Sequence, residues 1–418
     1  MRVLWFTNVP LDAVNRHFGR PTTGSGFWMH ALIEPLVNSG EVELAVVTAA
    51  AGDPPYRFRD GAVDYFNIPQ NKYLEVFGLF RGARLSRYLR HAASIVDAWK
   101  PDLIHVHGTE RFFGLVRARG LTQAPMVVSL QGIISEIHRC LWGTMTWRDM
   151  IANTTLWDLS RNATLVADSR QYRRQMRIER EVLESAQAVI GRTDWDHAHA
   201  RQVNPRAPYF HVDEMMRPEF WNAEPWSLES VRRGTLMTTA SPAPLKGLPV
   251  LLEATATLRS WGHDVRLKVA GLARSNPRGL SKYVFKMIDR LQLSDAVELL
   301  GWQSAEQLVE HMRQSHCFVA PSLIENSSNA VCEAQLFGMP CVASHTGGLP
   351  TLVDHELTGL LFSRGDSAML AGDIERLLLD ASLAVRLGNA ARTAARERHD
   401  PQKIVKELIT AYRAATTK

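Results

Sequence analysis

The strongest constraint on the fold is an alternation of short apolar runs with longer segments of helical periodicity, which extends over most of the chain. The apolar runs are three to six residues long and nearly continuous, which is typical of strands that are covered on both faces. The predicted strands are residues 3–6, 42–47, 63–68, 103–106, 126–130, 188–190, 209–212, 236–239, 265–270, 297–300, 317–320 and 342–344. Helices are predicted between them at residues 27–37, 84–99, 170–185, 248–261, 280–291, 305–314 and 330–337. This alternation predicts parallel sheets with right-handed crossovers, and therefore an α/β protein with two doubly wound domains.

The alternation is interrupted between residues 215 and 233, a stretch without periodicity that contains Arg217-Pro218 and Pro225. We therefore predict one domain at residues 1–222 and a second at residues 223–400. A final helix is predicted at residues 401–418, and one arrangement open to it is packing back on the first domain. The length of 418 residues agrees with two domains, because a domain usually has roughly 100–200 residues.

Composition limits the partners and the compartment. The chain has 48 Lys and Arg against 43 Asp and Glu, and a surplus this small does not indicate a nucleic-acid partner. Its four cysteines form no C-x-x-C pair, so neither a zinc site nor a disulfide framework is expected. No apolar run approaches the roughly 20 residues that span a bilayer. We therefore expect a cytoplasmic protein. If it contacts a membrane, we expect a peripheral contact at the inner face.

Two arginine clusters could support such a contact. The first has an arginine at every third position of a predicted helix, and the second lies in the next long helical segment. The usual interpretation of such clusters is a solvated helix face; the alternative is attraction to anionic lipid or to a phosphate-bearing, lipid-linked acceptor. The clusters are Arg81, Arg84, Arg87 and Arg90, and then Arg170, Arg173, Arg174, Arg177 and Arg180.

The segment after the predicted strand 317–320 is the best candidate for a ligand site, because ligands of doubly wound sheets bind at the carboxyl ends of strands. Its small polar residues, 326–329, suit a helix N-terminus that attracts an anion. Glu325 precedes this helix start and Glu333 lies inside the helix. An elongated nucleotide-sugar would fit, with its diphosphate at the helix start and its hydroxyl groups on the carboxylates. The alternative is a pair of solvated or capping glutamates.

Several spaced elements agree in order over residues 317–362: the two glutamates, Gly338-Met339-Pro340, Gly347-Gly348-Leu349-Pro350 and a final Thr358-Gly359. This block resembles the signature of glycosyltransferase family 4, whose members are retaining enzymes. The resemblance implies a GT-B fold, with two Rossmann-like doubly wound domains facing a cleft and helices at the C-terminus. It makes the first domain the acceptor side and the second the nucleotide-sugar side.

The resemblance also implies roles for individual residues on the donor side. In the family, the second glutamate binds the ribose and the first lies beside the donor sugar, so these roles fall on Glu333 and Glu325. Backbone amides between the two glutamates hold phosphate and sugar oxygens in the family. The corresponding residues here are Ser327, Ser328, Asn329 and Ala330.

Two further elements resemble parts of the family's diphosphate site. Family members carry an Arg and a Lys after the first strand of the second domain; this chain keeps Lys246 but has Ser241 in the place of the Arg. The glycine-rich stretch around Gly24 and Gly26 resembles the family loop whose amides face the diphosphate, and glycine lets the backbone approach a ligand closely. We expect Lys246 and Glu325 to be catalytic and the two glycines to bind the donor.

On the acceptor side, the candidates are residues that follow strands of the first domain: His107, Glu110 and Gln131. Many family members have a histidine where Gln131 stands, and glutamine can form hydrogen bonds but cannot carry charge. Trp302 follows the predicted strand 297–300. Its side chain is expected either near the nucleotide base or in the core, and the sequence does not choose between the two.

The resemblance implies a retaining, metal-independent glycosyltransferase that moves a sugar from a nucleotide-diphosphate sugar to a hydroxyl acceptor. We expect it to act in the synthesis of cell-surface polysaccharide or glycoconjugate, with a glycan or a lipid-linked molecule as acceptor. No cofactor is expected, because the nucleotide-sugar is a co-substrate. The alternatives are a nucleotide-sugar epimerase, a sugar phosphorylase and a non-catalytic protein that binds nucleotide-sugars.

Overall fold

The computed structural model describes residues 1–9, 11–21, 26–49, 53–70, 83–160, 163–274 and 280–417. Within these ranges the chain divides into two compact units. Unit 1 comprises Met1–Ser135, Arg170–Met215 and His399–Lys418, and unit 2 comprises Glu136–Ser169 and Met216–Arg398.

The sheet of unit 1 has eight described strands in the order β3-β4-β2-β1-β5-β6-β7-β8. Its strands are β1 (Arg2–Thr7), β2 (Glu43–Thr48), β3 (Arg57–Asp60), β4 (Val63–Asn67), β5 (Leu103–His107), β6 (Met126–Ser129), β7 (Ala188–Gly191) and β8 (Tyr209–His211). Neighbouring strands are parallel except for β3, which pairs with β4 in antiparallel fashion. The sheet is therefore parallel as predicted, except at this edge strand, which was not predicted. The polar sequence of β3, Arg57-Phe58-Arg59-Asp60, gave no apolar run to detect.

The sheet of unit 2 has six described strands in the order β11-β10-β9-β12-β13-β14. They are β9 (Thr235–Thr239), β10 (Arg266–Ala270), β11 (Val297–Gly301), β12 (Cys317–Ala320), β13 (Cys341–His345) and β14 (Leu360–Ser363). All pairings in this sheet are parallel, as predicted. The strand order places the carboxyl ends of β9 and β12 side by side.

Helices cover the faces of both sheets and account for the helical periodicity of the sequence. In chain order they are α1 (Asp12–His17), α2 (Phe27–Asn38), α3 (Ala83–Trp99), α4 (Leu115–Ala118), α5 (Ile134–Arg139), α6 (Trp147–Asn153), α7 (Leu156–Ser160), α8 (Leu165–Ser185), α9 (Asp194–Val203), α10 (Pro218–Asn222), α11 (Leu248–Ser260), α12 (Leu280–Arg290), α13 (Ala305–Arg313), α14 (Asn329–Phe337), α15 (Leu349–Leu352), α16 (Ser367–Leu379), α17 (Ala381–Arg398) and α18 (Pro401–Thr416). None of the described helices combines the length and the apolar character that a membrane crossing requires.

The division into units differs from the predicted boundary at residue 222. The change of unit falls after Met215, because Phe220 and Trp226 are buried in the core of unit 2. Residues 136–169 also group with unit 2, where the Lys286 ammonium of α12 donates to the Ala152 carbonyl of α6 at 3.4 Å. The sequence gave no sign of this insertion, because its helices are short.

The last helix, α18, belongs to unit 1. Its apolar face, with Ile404 and Leu408, lies in the same core as β1. The Tyr412 hydroxyl accepts a hydrogen bond from the indole N–H of Trp5 at 2.9 Å and is 2.7 Å from Nδ1 of His105. This buried network fixes the end of the chain to the centre of the first sheet.

Candidate active site

A pocket of about 280 Å³ lies at the carboxyl ends of β9 and β12 in unit 2. Thr239 ends β9 and Ala320 ends β12, and both line it. Six residues predicted to handle the donor share this pocket: Lys246, Glu325, Ser327, Ser328, Asn329 and Ala330. Lys246 comes from the segment after β9, and the others come from the loop after β12 and the start of α14. The two segments are far apart in sequence and adjacent because β9 pairs with β12.

The Lys246 loop is held against the loop after β12 by close backbone contact. Gly247 has φ +68°, and a Cβ at this position would overlap the carbonyl oxygen of Pro321. The Leu323 N–H donates to the Leu245 carbonyl at 2.8 Å. Only glycine allows both this left-handed conformation and this approach, so Gly247 places Lys246 beside Glu325.

Lys246 and Glu325 form an ion pair at the edge of the pocket. The Lys246 ammonium donates to Oε2 of Glu325 at 2.7 Å. The Ser322 hydroxyl donates to the same oxygen at 3.2 Å. The two contacts fix one carboxylate oxygen and hold the side chain at the pocket.

The start of α14 supplies a second positive feature to the pocket. Ser328 is the N-cap, and its hydroxyl oxygen accepts from the Val331 N–H at 3.4 Å. The first helical bond runs from the Cys332 N–H to the Ser328 carbonyl, so the earlier N–H groups, including those of Asn329 and Ala330, have no acceptor within the helix. Free N–H groups and the helix dipole favour an anion here. Together with the Lys246 ammonium, they can compensate the charge of a diphosphate.

Glu333 lies away from this pocket lining, inside α14, and only 3% of its surface is exposed. Its two oxygens accept a bidentate pair of hydrogen bonds from the Arg217 guanidinium, at 2.6 and 2.7 Å. Burial raises the pKa of Glu333, and the contact with Arg217 opposes this rise. Its role at the ribose stays a prediction, and Arg217 is a partner that the sequence analysis missed.

Trp302 follows β11 directly, and 71% of its surface is exposed. The alternative in which it packs in the core is therefore wrong. It is not among the residues that line the pocket, so its place near a nucleotide base stays a prediction.

Of the glycine loop in unit 1, Gly24 lies outside the described residues. Gly26 is the N-cap of α2 with φ +71°. A Cβ at Gly26 would lie 2.8 Å from a methyl of Val9 and 2.9 Å from the terminal methyl of Met29. The left-handed backbone and these close methyl groups favour glycine here, and its contact with a donor stays a prediction.

Two of the predicted acceptor residues, His107 and Gln131, line one small pocket of unit 1 at the ends of β5, β6 and β7. His107 is buried against the ring of His105, with 3.9 Å between ring centroids. Burial, with a smaller effect of Arg192, lowers the pKa of His107 to about 3, so its imidazole is neutral near pH 7. Its Nε2 is buried without a hydrogen-bond partner among the described residues.

Glu110 lies outside the lining of that pocket. Its carboxylate accepts from the Asn8 side chain at 2.8 Å, and burial raises its pKa. Gln131 accepts from the Arg192 guanidinium at 3.4 Å, and Arg192 also forms a buried ion pair with Glu214. Arg192 follows β7 directly, so the rule that pointed to strand ends could have identified it.

Among the described residues, no three His, Cys, Asp or Glu side chains lie close enough together to hold a metal ion. Arg81 lies outside the described residues. In the second arginine cluster, Arg180 forms an exposed i,i+4 pair with Glu184 at 2.9 Å. The attraction of these clusters to a membrane stays a prediction.

Solved structures similar to this chain are glycosyltransferases of the GT-B type. Sucrose-phosphate synthase from Thermosynechococcus elongatus has a TM-score of 0.74 and 17% identity, covering 99% of this chain and 98% of that one. Anabaena HepE, solved in complex with UDP-glucose, has a TM-score of 0.69 and 18% identity, covering 99% of this chain and 100% of that one. These similarities establish a GT-B fold.

Two family descriptions match most of the sequence: "Glycosyl transferase 4-like domain" at residues 23–212 and "Glycosyl transferases group 1" at residues 231–394. The chain belongs to glycosyltransferase family 4. A curated relative, D-inositol 3-phosphate glycosyltransferase from Saccharomonospora viridis, is 31% identical over 176 residues. The match covers 41% of this chain and 41% of that relative, so the chain spans about two fifths of the length of the relative.

Proposed function

We propose that the protein transfers a sugar from a nucleotide-diphosphate sugar to a hydroxyl acceptor, with retention of the anomeric configuration and without a metal ion. The observation that carries this proposal is the pocket of unit 2 in which Lys246, Glu325 and the start of α14 meet. Membership of glycosyltransferase family 4 supports it.

The proposed chemistry places the donor diphosphate at the start of α14. As the bond between the anomeric carbon and the phosphate oxygen breaks, negative charge grows on the diphosphate and positive charge on the sugar ring. The Lys246 ammonium and the helical N–H groups are fixed and stabilise the growing negative charge. The acceptor oxygen then bonds to the anomeric carbon from the same face, and its proton passes to the departing phosphate oxygen. The products are the glycoside and the nucleoside diphosphate.

The ion pair at the pocket is compatible with donor binding. An ammonium group has three N–H donors, and one of those of Lys246 is directed at Glu325. Lys246 can therefore keep this contact while it donates to a phosphate oxygen. Glu325 in turn uses Oε2 for Lys246 and Ser322, which leaves Oε1 for a hydroxyl group of the sugar. The pair would thus orient the sugar relative to its leaving group.

The positive charge that a metal ion would contribute at the diphosphate is supplied in this proposal by Lys246 and the start of α14. Ser241 stands where the family has an arginine, so a greater share of the neutralisation falls on Lys246. UDP-glucose is the first donor to test, because the similar HepE binds it. The acceptor that we propose is a glycan or a lipid-linked molecule of cell-surface polysaccharide or glycoconjugate synthesis.

The experiment begins with a thermal-shift screen of nucleotides and nucleotide-sugars, followed by an assay of donor consumption with the donor that binds. Lys246→Met should lower turnover by roughly 10²–10³ without changing the melting temperature by more than a few degrees. Lys268→Met is the matched control, because Lys268 lies outside the pocket lining and its ammonium contacts Gln314; it should retain full activity. Full activity of Lys246→Met would contradict the proposed role.

The same assay separates the alternatives. An epimerase would convert the nucleotide-sugar without any acceptor, and a phosphorylase would release sugar phosphate when inorganic phosphate is added. A non-catalytic protein would bind the nucleotide-sugar without consuming it. Inversion at the anomeric carbon, measured by NMR of the product, would overturn the retaining mechanism.

A further inference from the structure

Large apolar side chains are exposed in one segment of unit 2. Of the large hydrophobic residues that are exposed in the described parts of the chain, six lie between positions 142 and 166: Trp142, Trp147, Ile151, Leu156, Leu159 and Val166. Four of these, on α6 and α7, are between 60% and 85% exposed. Soluble proteins rarely cluster apolar side chains at the surface in this way unless the cluster contacts a partner.

Helix geometry places these side chains on the outer faces of α6 and α7. Trp147 and Ile151 are four residues apart, so they lie on one face of α6, whereas Met150 and Asn153 of the same helix line a half-open pocket. On α7, Asp158 lines that pocket and is buried, while Leu156 and Leu159 are exposed. We call Trp147, Ile151, Leu156 and Leu159 the apolar surface.

Cationic side chains accompany the apolar surface. The Arg148 guanidinium lies 5.4 Å from the ring centroid of Trp147. Helix α12, which packs on α6, contributes Lys286 and Arg290, both exposed, and Lys286 contacts the end of α6.

The acidic groups nearby are largely engaged. Asp149 accepts from the N-cap residue Thr146 at 2.9 Å, and its pKa is lowered by these hydrogen bonds, with a further contribution from Arg290. Asp158 is buried and accepts from the Thr155 backbone at 2.8 Å. Asp289 is exposed and lies 3.7 Å from Arg274. Hydrogen bonding leaves the negative charge of Asp149 in place. The exposed cations beside the apolar surface are Arg148, Lys286 and Arg290, whereas Asp149 is half-buried and Asp289 is paired with Arg274.

We propose that α6 and α7 dock the protein on a lipid bilayer that contains anionic lipid. Trp, Ile and Leu side chains at the end of a short helical segment insert into the boundary between headgroups and acyl chains, and flanking Arg and Lys bind anionic headgroups. A tryptophan in contact with an arginine suits this boundary, because its ring prefers the level of the headgroups. A bilayer fits better than a protein partner, because positive charge borders the apolar residues on more than one helix. The inference goes beyond the proposed function and does not depend on it, since docking requires no nucleotide-sugar.

The test is sedimentation of the purified full chain with vesicles of phosphatidylcholine, alone and mixed with phosphatidylglycerol. The unmodified protein should sediment with the mixed vesicles. The variant Trp147→Ser, Ile151→Ser, Leu156→Ser, Leu159→Ser should bind at least about tenfold more weakly, because it loses the inserted side chains. Replacing Arg148, Lys286 and Arg290 by serine should weaken binding to the anionic vesicles by about fivefold for each charge.

The matched control removes one tryptophan and three other apolar side chains that are exposed elsewhere in unit 2: Trp261→Ser, Leu357→Ser, Met369→Ser and Leu379→Ser. It should bind vesicles as the unmodified protein does. A variant with Arg173, Arg174 and Arg177 replaced by serine separates the proposed surface from the second arginine cluster and should also bind. Circular dichroism and melting curves check that each variant is folded.

A second measurement is quenching of tryptophan fluorescence by brominated lipid, which should fall when Trp147 alone is replaced by serine. The proposal is overturned if the unmodified protein does not bind mixed vesicles, or if the four-residue variant binds them equally well. It is also overturned if sedimentation velocity shows dimers that this variant loses while no vesicle binding occurs, because a second copy would then be the partner.

Discussion

The pair formed by Arg217 and Glu333 allows a quantitative prediction for Arg217→Met, which keeps an unbranched apolar side chain and removes the charge. The Glu333 side chain is only 4% exposed and that of Arg217 is 22% exposed. An exposed pair contributes about 0–1 kcal/mol, whereas removing one partner of a buried pair costs about 3–5 kcal/mol. The low exposure of Glu333 and the bidentate geometry place this pair in the second class.

A cost of about 3–5 kcal/mol corresponds to a fall of about 6–20 °C in the melting temperature of a unit of this size. The assay is thermal and urea unfolding at several pH values. Burial already raises the pKa of Glu333, and Arg217 opposes the rise, so the variant should raise this pKa further. When the pKa of a carboxyl group is higher in the folded state than in the unfolded state, the protein loses stability as the pH rises above the unfolded pKa. The deficit of Arg217→Met should thus be small near pH 4 and grow toward neutral pH.

Glu333→Gln in the Arg217→Met background supplies the control, because it removes the buried charge that has lost its partner. The double variant should recover most of the lost stability, and the cycle of the four proteins gives the coupling energy. The reasoning fails if Arg217→Met loses less than about 1 kcal/mol at neutral pH, or if its deficit does not change with pH.

Two further predictions concern Gly247, beside the pocket of unit 2, and the buried carboxyl group of Glu179 in unit 1. Gly247→Ala should destabilise unit 2 and abolish activity, because φ is +68° and the new Cβ would overlap the Pro321 carbonyl. Gly262→Ala, with φ +94° and open space around it, should cost only the backbone strain of about 1–2 kcal/mol and keep its activity; equal urea midpoints for the two variants would contradict this. Burial raises the pKa of Glu179 to about 7 from an ordinary value of 4.5, so the unfolded chain loses this proton first as the pH rises. The unmodified protein should therefore lose roughly 3 kcal/mol of stability between pH 4.5 and pH 7, and Glu179→Gln should not show this loss. If the free energy of unfolding of the two proteins changed with pH in parallel, the prediction would be wrong.

The sequence alone determined the fold class and the pocket that contains Lys246 and Glu325. Strands and helices of a parallel α/β sheet have local periods, so they are visible in short windows. For the pocket there were two signals. The loop that carries Glu325 follows a strand end, where such sheets bind ligands, and the place of Lys246 was implied by the resemblance to glycosyltransferase family 4. Both loops of the pocket directly follow a predicted strand.

Only the tertiary structure decided which distant side chains are partners. Arg217 and Glu333 lie 116 positions apart, and Trp5 and Tyr412 lie 407 apart. The short, partly polar helices of residues 136–169 likewise gave no pattern that assigns them to unit 2. A long-range contact depends on how complete helices and strands pack against each other. Which of the many polar side chains becomes the partner of another is therefore not visible as a periodic pattern in the sequence. The apolar surface of α6 and α7 was also visible only in the tertiary structure, because the packing, and not the residue type, decides whether a side chain is exposed.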